Sequence, residues 1–342
     1  MPSLESRLIN QRNSQKKRIL AITSILLIIA VAVLFGYKYT GSSMPTGSFI
    51  DQTKQAIGLT THKKINILLL GIDERKNDIG RSNVTCVVTV DTDAKNISML
   101  WIPRDSRVNI PGQEWNKIGH AYSYGGHQLS EQTVSDLLGI PIDYFMVINM
   151  DGFKKVIDAL GGVDINVDKR MYYYDPYDAG EVDNNGLIDL HPGMQHMDGN
   201  TALEYVRFRH DEMGDIGRIE RQQKFAKALL ADVINPSVIT KIPNVIKEAN
   251  SVFKTDMPVS EMLSLTTVIN DVYNQGLKTY TVPGKPVYID NISYWLPDIA
   301  AMRKEVAQIQ GITVDDKYAK YTRRLADEYT KSIAKSKVEE AL

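Results

Sequence analysis

The chain has 342 residues, 40 basic and 41 acidic, a formal net charge of −1 and 43 % hydrophobic residues. A nearly neutral chain has no overall attraction to polyanions, which argues against nucleic acid as a partner and requires any anion site to be a local cluster. The single cysteine, Cys86, excludes a disulfide framework, so the folded part must depend on a substantial hydrophobic core.

The first part of the chain is predicted to anchor it in a membrane. Residues 19–37 contain no charge and no proline, and a helix of this length, at about 1.5 Å per residue, nearly spans the roughly 30 Å hydrocarbon core. The basic tail at 1–18 favours a cytoplasmic N-terminus with the rest of the chain outside the cell. A cleaved signal peptide is the alternative, although the apolar run is long and no Ala-x-Ala site follows. Residues 38–63 are predicted to be an extracellular stalk.

Strand and helix patterns alternate from residue 64 onward. Strands are predicted at 65–71, 85–91, 97–102, 144–149, 163–167 and 277–282. Helices are predicted at 117–124, 130–138, 152–160, 217–233, 245–253, 259–273 and 298–310. Residues 168–200 are predicted to be a long loop, and 316–342 a charged C-terminal tail with a partly frayed helix. The alternation predicts one α/β layered domain at 64–315, with a mixed central sheet flanked by helices.

Charged side chains lie at the ends of the first three predicted strands. Asp73 and Arg75 follow the first strand, Arg81 precedes the second, and Arg104 and Asp105 follow the third. In open α/β sheets the carboxyl ends of strands line the ligand crevice. These positions are therefore candidates for a shared anion pocket.

A second group of basic side chains lies further along the chain. Arg207 and Arg209 alternate with apolar residues, which puts both on one side if the segment is extended. Arg218, Arg221 and Gln222 fall on one face of the predicted helix. Because the planar guanidinium matches phosphate oxygens two at a time, the group suggests a polyanion clamp. The alternative is that the arginines pair with neighbouring acidic residues on the surface of two helices.

Several catalytic motifs are missing from the sequence. It has no His-Glu-x-x-His, Cys-x-x-Cys, Gly-x-Ser-x-Gly or Gly-x-x-x-x-Gly-Lys, and its 6 histidines show no metal-ligand spacing. These absences argue against a zinc enzyme, a serine hydrolase and a nucleotide-driven enzyme. A pyrophosphate pocket lined by arginine is the site that remains.

Short motifs occur in order between residues 64 and 233. They are LLLGIDER at 68–75, GRS at 80–82, IPRD at 102–105, KIGHAY at 117–122, LGGVD at 160–164, YVRFR at 205–209 and GRIERQ at 217–222. Together they resemble the LytR-CpsA-Psr family. A membrane anchor with the folded domain outside the cell is also the arrangement of that family.

The resemblance implies a phosphotransferase of the Gram-positive cell envelope. Such an enzyme moves a glycopolymer, for example a teichoic acid or capsular polysaccharide, from polyprenyl diphosphate to a sugar hydroxyl of peptidoglycan and releases polyprenyl phosphate. The family match assigns the pyrophosphate contacts to Arg81, Arg104, Arg207, Arg209, Arg218 and Gln222. Asp215 matches a family aspartate beside the arginine helix, and Arg75 and Arg221 are predicted to support these contacts. The predicted catalytic residues are Arg81, Arg104 and Asp105. Phosphoryl transfer requires mainly positioning and charge neutralisation, which such a site provides.

The resemblance also implies a Mg²⁺ site and leaves the general base open. Asp73 and Asn83 match the metal-binding positions, but family members commonly carry aspartate where this chain has Asn83. An amide oxygen carries no charge, so we expect weakened Mg²⁺ binding. Asp105 is the candidate base because it adjoins Arg104, and the alternative is that it is only the structural partner of that arginine.

Two other functions stay open at this level. One is a membrane-anchored protein that binds lipid diphosphates or anionic wall polymers without turnover. The other is a pyrophosphatase that hydrolyses polyprenyl diphosphate, with water in place of the sugar hydroxyl.

Overall fold

The computed structural model describes residues 64–74, 78–174, 186–211, 214–233, 253–258, 261 and 277–340. The apolar run and stalk, Arg75 and almost all of the two helices predicted between 245 and 273 lie outside these residues. Within the described ranges, no helix has the length and hydropathy needed to cross a bilayer.

The secondary structure alternates as the sequence predicts, with additional short strands. In chain order the elements are β1 (Lys64–Ile72), β2 (Ser82–Asp91), β3 (Asn96–Trp101), β4 (Arg107–Asn109), β5 (Trp115–Lys117), α1 (His120–Leu138), β6 (Tyr144–Asn149), α2 (Met150–Leu160), β7 (Val163–Val167), β8 (Met171–Tyr174), β9 (Leu187–Leu190), β10 (Gly193–Met197), α3 (Gly199–Arg207), α4 (Gly214–Val233), β11 (Phe253–Thr255), β12 (Lys278–Thr281), β13 (Gly284–Ile289), β14 (Ile292–Pro297), α5 (Ile299–Gln310), α6 (Asp316–Ile333) and β15 (Val338–Glu340).

The described residues form two compact units where the sequence predicted one domain. The sheet unit comprises the described residues up to 147 together with 278–340, and the inserted unit comprises those between 148 and 277. Each unit has its own buried apolar cluster.

The sheet unit is built on a mixed sheet, as predicted. Its strands follow the order β6-β1-β2-β3-β12, in which β1, β2 and β3 pair antiparallel and β12 pairs parallel with β3. Leu68 lies opposite Val87 in the β1–β2 register, and both are buried. Since Leu68 is fully buried, its truncation to alanine should cost about 2–5 kcal/mol of stability. Cys86 is buried in β2, as its β-branched neighbours predict.

Three helices of the sheet unit contribute to the same core. Buried side chains of α1 and α5 join it, and Tyr329 of α6 is buried among them. The Tyr329 ring packs edge-on against Trp115 with centroids 4.6 Å apart, and Arg107 Nη1 donates to Ser332 Oγ at 2.6 Å. The charged C-terminal segment is therefore a helix, as predicted, but it packs onto the core instead of extending as a tail.

The inserted unit contains strands where the sequence analysis expected a loop. Strands β8, β9 and β10 lie in that segment, and β10 pairs antiparallel with β7. The loop prediction is wrong for these residues because short strands interrupted by polar and proline residues have little periodicity. Ile165, Met197, Tyr205 and Phe225 form part of the core of this unit.

Candidate functional site

The first candidate site lies in the sheet unit, where β1 ends and β2 begins. Asp73 directly follows β1, and its Oδ1 accepts a hydrogen bond from the backbone N–H of Arg81 at 2.6 Å. The Asp73 N–H in turn donates to the Arg81 carbonyl at 3.2 Å. This double link fixes Arg81 at the head of β2, so the predicted proximity of Asp73 and Arg81 is present in the structure.

Arg104 follows β3 and contacts the second residue of β2. Its Nη1 donates to Oδ1 of Asn83 at 2.9 Å, and its Nε lies 3.9 Å from Oδ1 of Asp105. Asn83 thus orients the guanidinium through a neutral amide. A guanidinium stays cationic in proteins, so Arg104 can contribute to binding an anionic ligand.

The predicted Mg²⁺ ligands fit a divalent cation poorly. Asp73 supplies one carboxylate, which already accepts a backbone N–H, and the amide oxygen of Asn83 accepts from the Arg104 guanidinium. Across the part of the chain that the structure describes, no three His, Cys, Asp or Glu side chains are grouped to hold a metal. Mg²⁺ prefers carboxylates with water or phosphate, and a cation beside Arg104 would be repelled. The metal site stays a prediction, and we derive no step through it.

Asp105 lies between two basic side chains. Lys117 Nζ lies 3.0 Å from Asp105 Oδ1. The same carboxylate oxygen also approaches Arg104 Nε. Lys117 is the last residue of β5, so this ion pair joins the β4–β5 hairpin to the end of β3. This geometry is typical of a carboxylate that positions neighbouring basic side chains. A structural role of this kind was the alternative to a general base for Asp105.

Gly119 makes this local arrangement possible. Its carbonyl accepts from the Ser82 N–H at 3.1 Å, and its own N–H donates to the Arg104 carbonyl at 3.0 Å. A Cβ at this position would lie 2.8 Å from the Ser82 carbonyl oxygen. The glycine therefore allows the start of α1 to approach both Ser82 and Arg104.

The sequence analysis missed His120, the first residue of α1. Burial lowers its pKa, and the nearby positive charges of Arg81, Lys117 and Arg104 lower it further, against the opposing effect of Asp105. The only signal in the sequence was the position of His120 inside the KIGHAY motif. A search for metal-ligand spacing cannot detect a histidine of this kind, because its neighbours are cations.

The second candidate site lies in the inserted unit, on helix α4. Arg218, Arg221 and Gln222 are all buried, at 6 %, 7 % and 7 % exposure. The helical face predicted from their spacing is confirmed. This burial separates them from an ordinary solvated charge run, in which the side chains would extend into water.

Arg221 ties the segment after α3 to α4. Its guanidinium donates to the Asp211 carboxylate and to the Phe208 carbonyl, and it lies 5.2 Å from the centroid of the Phe208 ring. Arg218 pairs with Asp215 at 3.2 Å, and Gln222 Nε2 donates to the Val206 carbonyl at 3.2 Å. The acidic pairing foreseen as the alternative thus exists for Arg218 and Arg221, but the guanidiniums are buried.

Arg207 and Arg209 do not lie on an extended segment. Arg207 is the last residue of α3, Phe208 caps that helix, and exposed Arg209 follows. The helical conformation is favoured over an extended one because Asp198 caps the N-terminus of α3 by accepting the Thr201 N–H at 2.8 Å. A two-residue alternation is too short to overcome this helical signal.

The predicted site residues divide between the two units. Asp73, Arg81, Asn83, Arg104 and Asp105 belong to the sheet unit, whereas Arg207, Arg209, Asp215, Arg218, Arg221 and Gln222 belong to the inserted unit.

A mixed α/β fold with arginine at strand ends defines a class of protein suited to phosphate esters. The LytR_cpsA_psr family model matches residues 34–311. TagV of Bacillus subtilis (strain 168), a polyisoprenyl-teichoic acid–peptidoglycan teichoic acid transferase, is 31 % identical over 305 residues, 84 % of this chain and 76 % of that protein. The chain therefore belongs to the LytR-CpsA-Psr family.

Solved structures agree with this assignment. The crystal structure of B. subtilis TagV aligns with a TM-score of 0.62 at 31 % identity, covering 74 % of this chain and 100 % of the crystallised TagV chain. The structure of YwtF (TagT) of Bacillus subtilis with bound octaprenyl pyrophosphate lipid aligns with a TM-score of 0.54 at 27 % identity, covering 73 % of this chain and 91 % of the other.

Proposed function

We propose that the protein is a phosphotransferase that moves a glycopolymer of the teichoic acid type from a polyprenyl diphosphate carrier to a sugar hydroxyl of peptidoglycan. Polyprenyl phosphate is the leaving group. The relatives named as teichoic acid transferases support the reaction class, and the octaprenyl pyrophosphate bound to YwtF supports the carrier.

The observation that carries the proposal is the basic cluster of the sheet unit, formed by Arg81, Arg104 and Lys117. Arg104 Nε and Lys117 Nζ both approach Asp105 Oδ1, at 3.9 Å and 3.0 Å, and Arg81 is held beside Asp73 at the start of β2. Phosphoryl transfer depends mainly on holding the phosphate and neutralising the charge that develops on its oxygens. Guanidiniums already oriented by protein contacts can do this without reorganising.

The chemical energy for the transfer would come from the donor itself. A diphosphate ester is an activated phosphoryl donor, which is consistent with a sequence that lacks a nucleotide-binding motif. The apolar run at 19–37 and the basic residues before it support a single-pass anchor with the catalytic part outside the cell. Donor lipid and enzyme would then share the same membrane.

The inserted unit would contribute Arg207, Arg209, Arg218 and Gln222, as the family resemblance implies. Arg221 and Asp215 would support them, since Arg221 holds Phe208 and Asp211 while Asp215 pairs with Arg218. Loss of activity in single variants of these residues would support the roles that the family resemblance implies for them.

A single assay separates this function from its two alternatives. Full-length protein in proteoliposomes is incubated with a polyprenyl diphosphate-linked saccharide and peptidoglycan oligomers, and the products are identified by mass spectrometry. We expect a joined saccharide–peptidoglycan product. Free saccharide phosphate would indicate a pyrophosphatase, and retention of the lipid without turnover would indicate a binding protein.

Arg104→Ala is the matched test of the basic cluster in that assay. We expect a loss of about a hundredfold or more in rate, because the guanidinium would act on charge that develops in the transition state. Arg324→Ala is the control, since Arg324 is exposed on α6 and pairs with Glu328. Equal activity of both variants would contradict the role given to Arg104.

A further inference from the structure

Beside the basic cluster lies a hydrogen-bond chain of Tyr124, Asn116 and His120 to which no role has yet been given. Asn116 Nδ2 donates to the Tyr124 hydroxyl at 3.0 Å, and Asn116 Oδ1 lies 2.9 Å from His120 Nδ1. Tyr124 is 46 % exposed, and His120 and Asn116 are half-buried. The chain of hydrogen bonds therefore runs from the surface to His120, which directly follows Gly119, whose N–H donates to the Arg104 carbonyl.

The hydrogen bonds determine which nitrogen of His120 carries the proton. The backbone N–H of Lys117 donates to Asn116 Oδ1 at 2.8 Å, which identifies that atom as the carbonyl oxygen of the amide. A carbonyl oxygen can only accept, so His120 Nδ1 must donate to it. Neutral His120 thus has its proton on Nδ1 and its lone pair on Nε2.

The groups that face His120 favour the neutral ring. They are Arg81, Lys117 and Arg104, which are positive, Asp105, which is negative, and Tyr124, whose ring centroid lies 6.0 Å from that of His120. Burial and the cations hold the pKa of His120 below 6.5, and Asp105 offsets only part of this effect. His120 is therefore deprotonated at neutral pH, as a proton acceptor must be.

We propose that His120 is the general base of the transfer reaction and that Asn116 and Tyr124 orient its ring. This inference rests on the proposed function. Asp105 was the earlier candidate for the general base. His120 replaces it, because its hydrogen bonds identify Nε2 as the nitrogen that can accept a proton. Asp105 instead pairs with Lys117.

In the proposed step, Nε2 of His120 takes the proton of the acceptor sugar hydroxyl. The hydroxyl oxygen forms a bond to the phosphorus that carries the glycopolymer. The bond from that phosphorus to the bridging oxygen breaks, and polyprenyl phosphate leaves with the electron pair. The imidazolium then releases its proton to water, which the surrounding cations favour.

The test compares His120→Gln with His127→Gln in full-length protein. His127 lies on the same helix, with Nδ1 bound to Glu131 and its ring stacked on Phe145. We expect His120→Gln to lower kcat by about a hundredfold or more and to remove the acid limb of the kcat–pH profile. The Kd for octaprenyl diphosphate should stay within about threefold of the wild-type value, because a general base acts on the reaction and not on binding. We expect His127→Gln to keep both the rate and the limb.

Asn116→Asp supplies a readout that a purely structural role would not change. A carboxylate at this position stabilises the imidazolium and raises the pKa of His120, so the acid limb should move to higher pH. An unmoved limb, or undiminished turnover in His120→Gln, would overturn this inference alone. Loss of octaprenyl diphosphate binding in parallel with turnover would overturn it too. Absence of joined product from the wild-type protein would overturn the proposed function, and the inference with it.

Discussion

Asn83 accepts a hydrogen bond from Arg104 Nη1 at 2.9 Å. Asn83 is also a position that the family resemblance assigns to Mg²⁺. In this structure its side-chain oxygen is bound to an arginine.

Asn83→Asp should strengthen the response to Mg²⁺. The new carboxylate would partly neutralise Arg104 and, with Asp73, would provide two acidic ligands. We expect a larger rise in melting temperature on adding Mg²⁺ than in the wild type. Asn83→Ala is the control and should show no such change. An identical Mg²⁺ titration for all three proteins would contradict this expectation.

Gly119→Ala should destabilise the sheet unit. The added Cβ would lie 2.8 Å from the Ser82 carbonyl oxygen, so the start of α1 or of β2 must move. Overpacking of this kind costs about 1–3 kcal/mol, and the shift would also displace Arg104 and His120. Chemical denaturation and the transfer rate should both report the change. Unaltered values in both measurements would show that the close approach is not required.

Arg221 and Arg209 should separate stability from function in the inserted unit. Asp211 and Arg221 have side chains 5 % and 8 % exposed, so Arg221→Ala leaves a buried carboxylate without its main partner. We expect a loss of about 3–5 kcal/mol in the free energy of unfolding. Arg209 is exposed, so Arg209→Ala should change stability by less than about 0.5 kcal/mol while reducing transfer.

The prediction for Arg221 and Arg209 would be contradicted if the effects of the two variants on stability were reversed. If Arg209→Ala unfolds more easily and Arg221→Ala does not, the structural role belongs to Arg209. A double variant, Arg221→Met with Asp211→Leu, should recover much of the stability lost in Arg221→Ala, because no buried charge remains.

Asp198 should make stability dependent on pH in the acid range. Its carboxylate accepts the backbone N–H of Thr201, which holds the pKa of Asp198 below the usual aspartate value. The stabilisation is fully present above the unfolded-state pKa and is lost as the pH falls through the lower folded-state pKa. Asp198→Ala should therefore cost about 1 kcal/mol at neutral pH, and this difference should shrink in acid.

The control for the cap is Asp151→Ala. The carboxylate of Asp151 is 76 % exposed and pairs with Lys154 on the first turn of α2. A surface pair of this kind contributes about 0–1 kcal/mol, so we expect a smaller change at neutral pH. A loss for Asp198→Ala that stays constant down to strongly acid pH would show that the carboxylate charge is not the cause.

Local patterns were sufficient to predict many elements. The helices before Gly139 and Gly161 end at left-handed glycines, and α5 begins after Asp298, which caps it by accepting the Ala301 N–H. Each of these signals depends on residues a few positions apart, which a sequence shows directly. The buried face of α4 and the buried strand around Cys86 follow from the same kind of periodicity.

Contacts between distant residues could not be predicted in this way. The sequence analysis placed Arg104 near the other strand-end charges, but not its bond to Asn83, nor the approach of Lys117 to Asp105. It also treated the C-terminal segment as a tail, although Tyr329 is buried in the core. An exposed polar helix and one that packs through two tyrosines have nearly the same composition.

By itself, the sequence determined the alternation of strands and helices, the apolar run near the N-terminus and the order of motifs that marks the family. The tertiary structure decided the contacts of individual side chains: Arg221 binds Asp211, Asp105 pairs with Lys117, and His120 bonds to Asn116. The reason is physical, because periodicity and capping depend on near neighbours along the chain. The charge state and orientation of a side chain depend on whatever folding brings beside it.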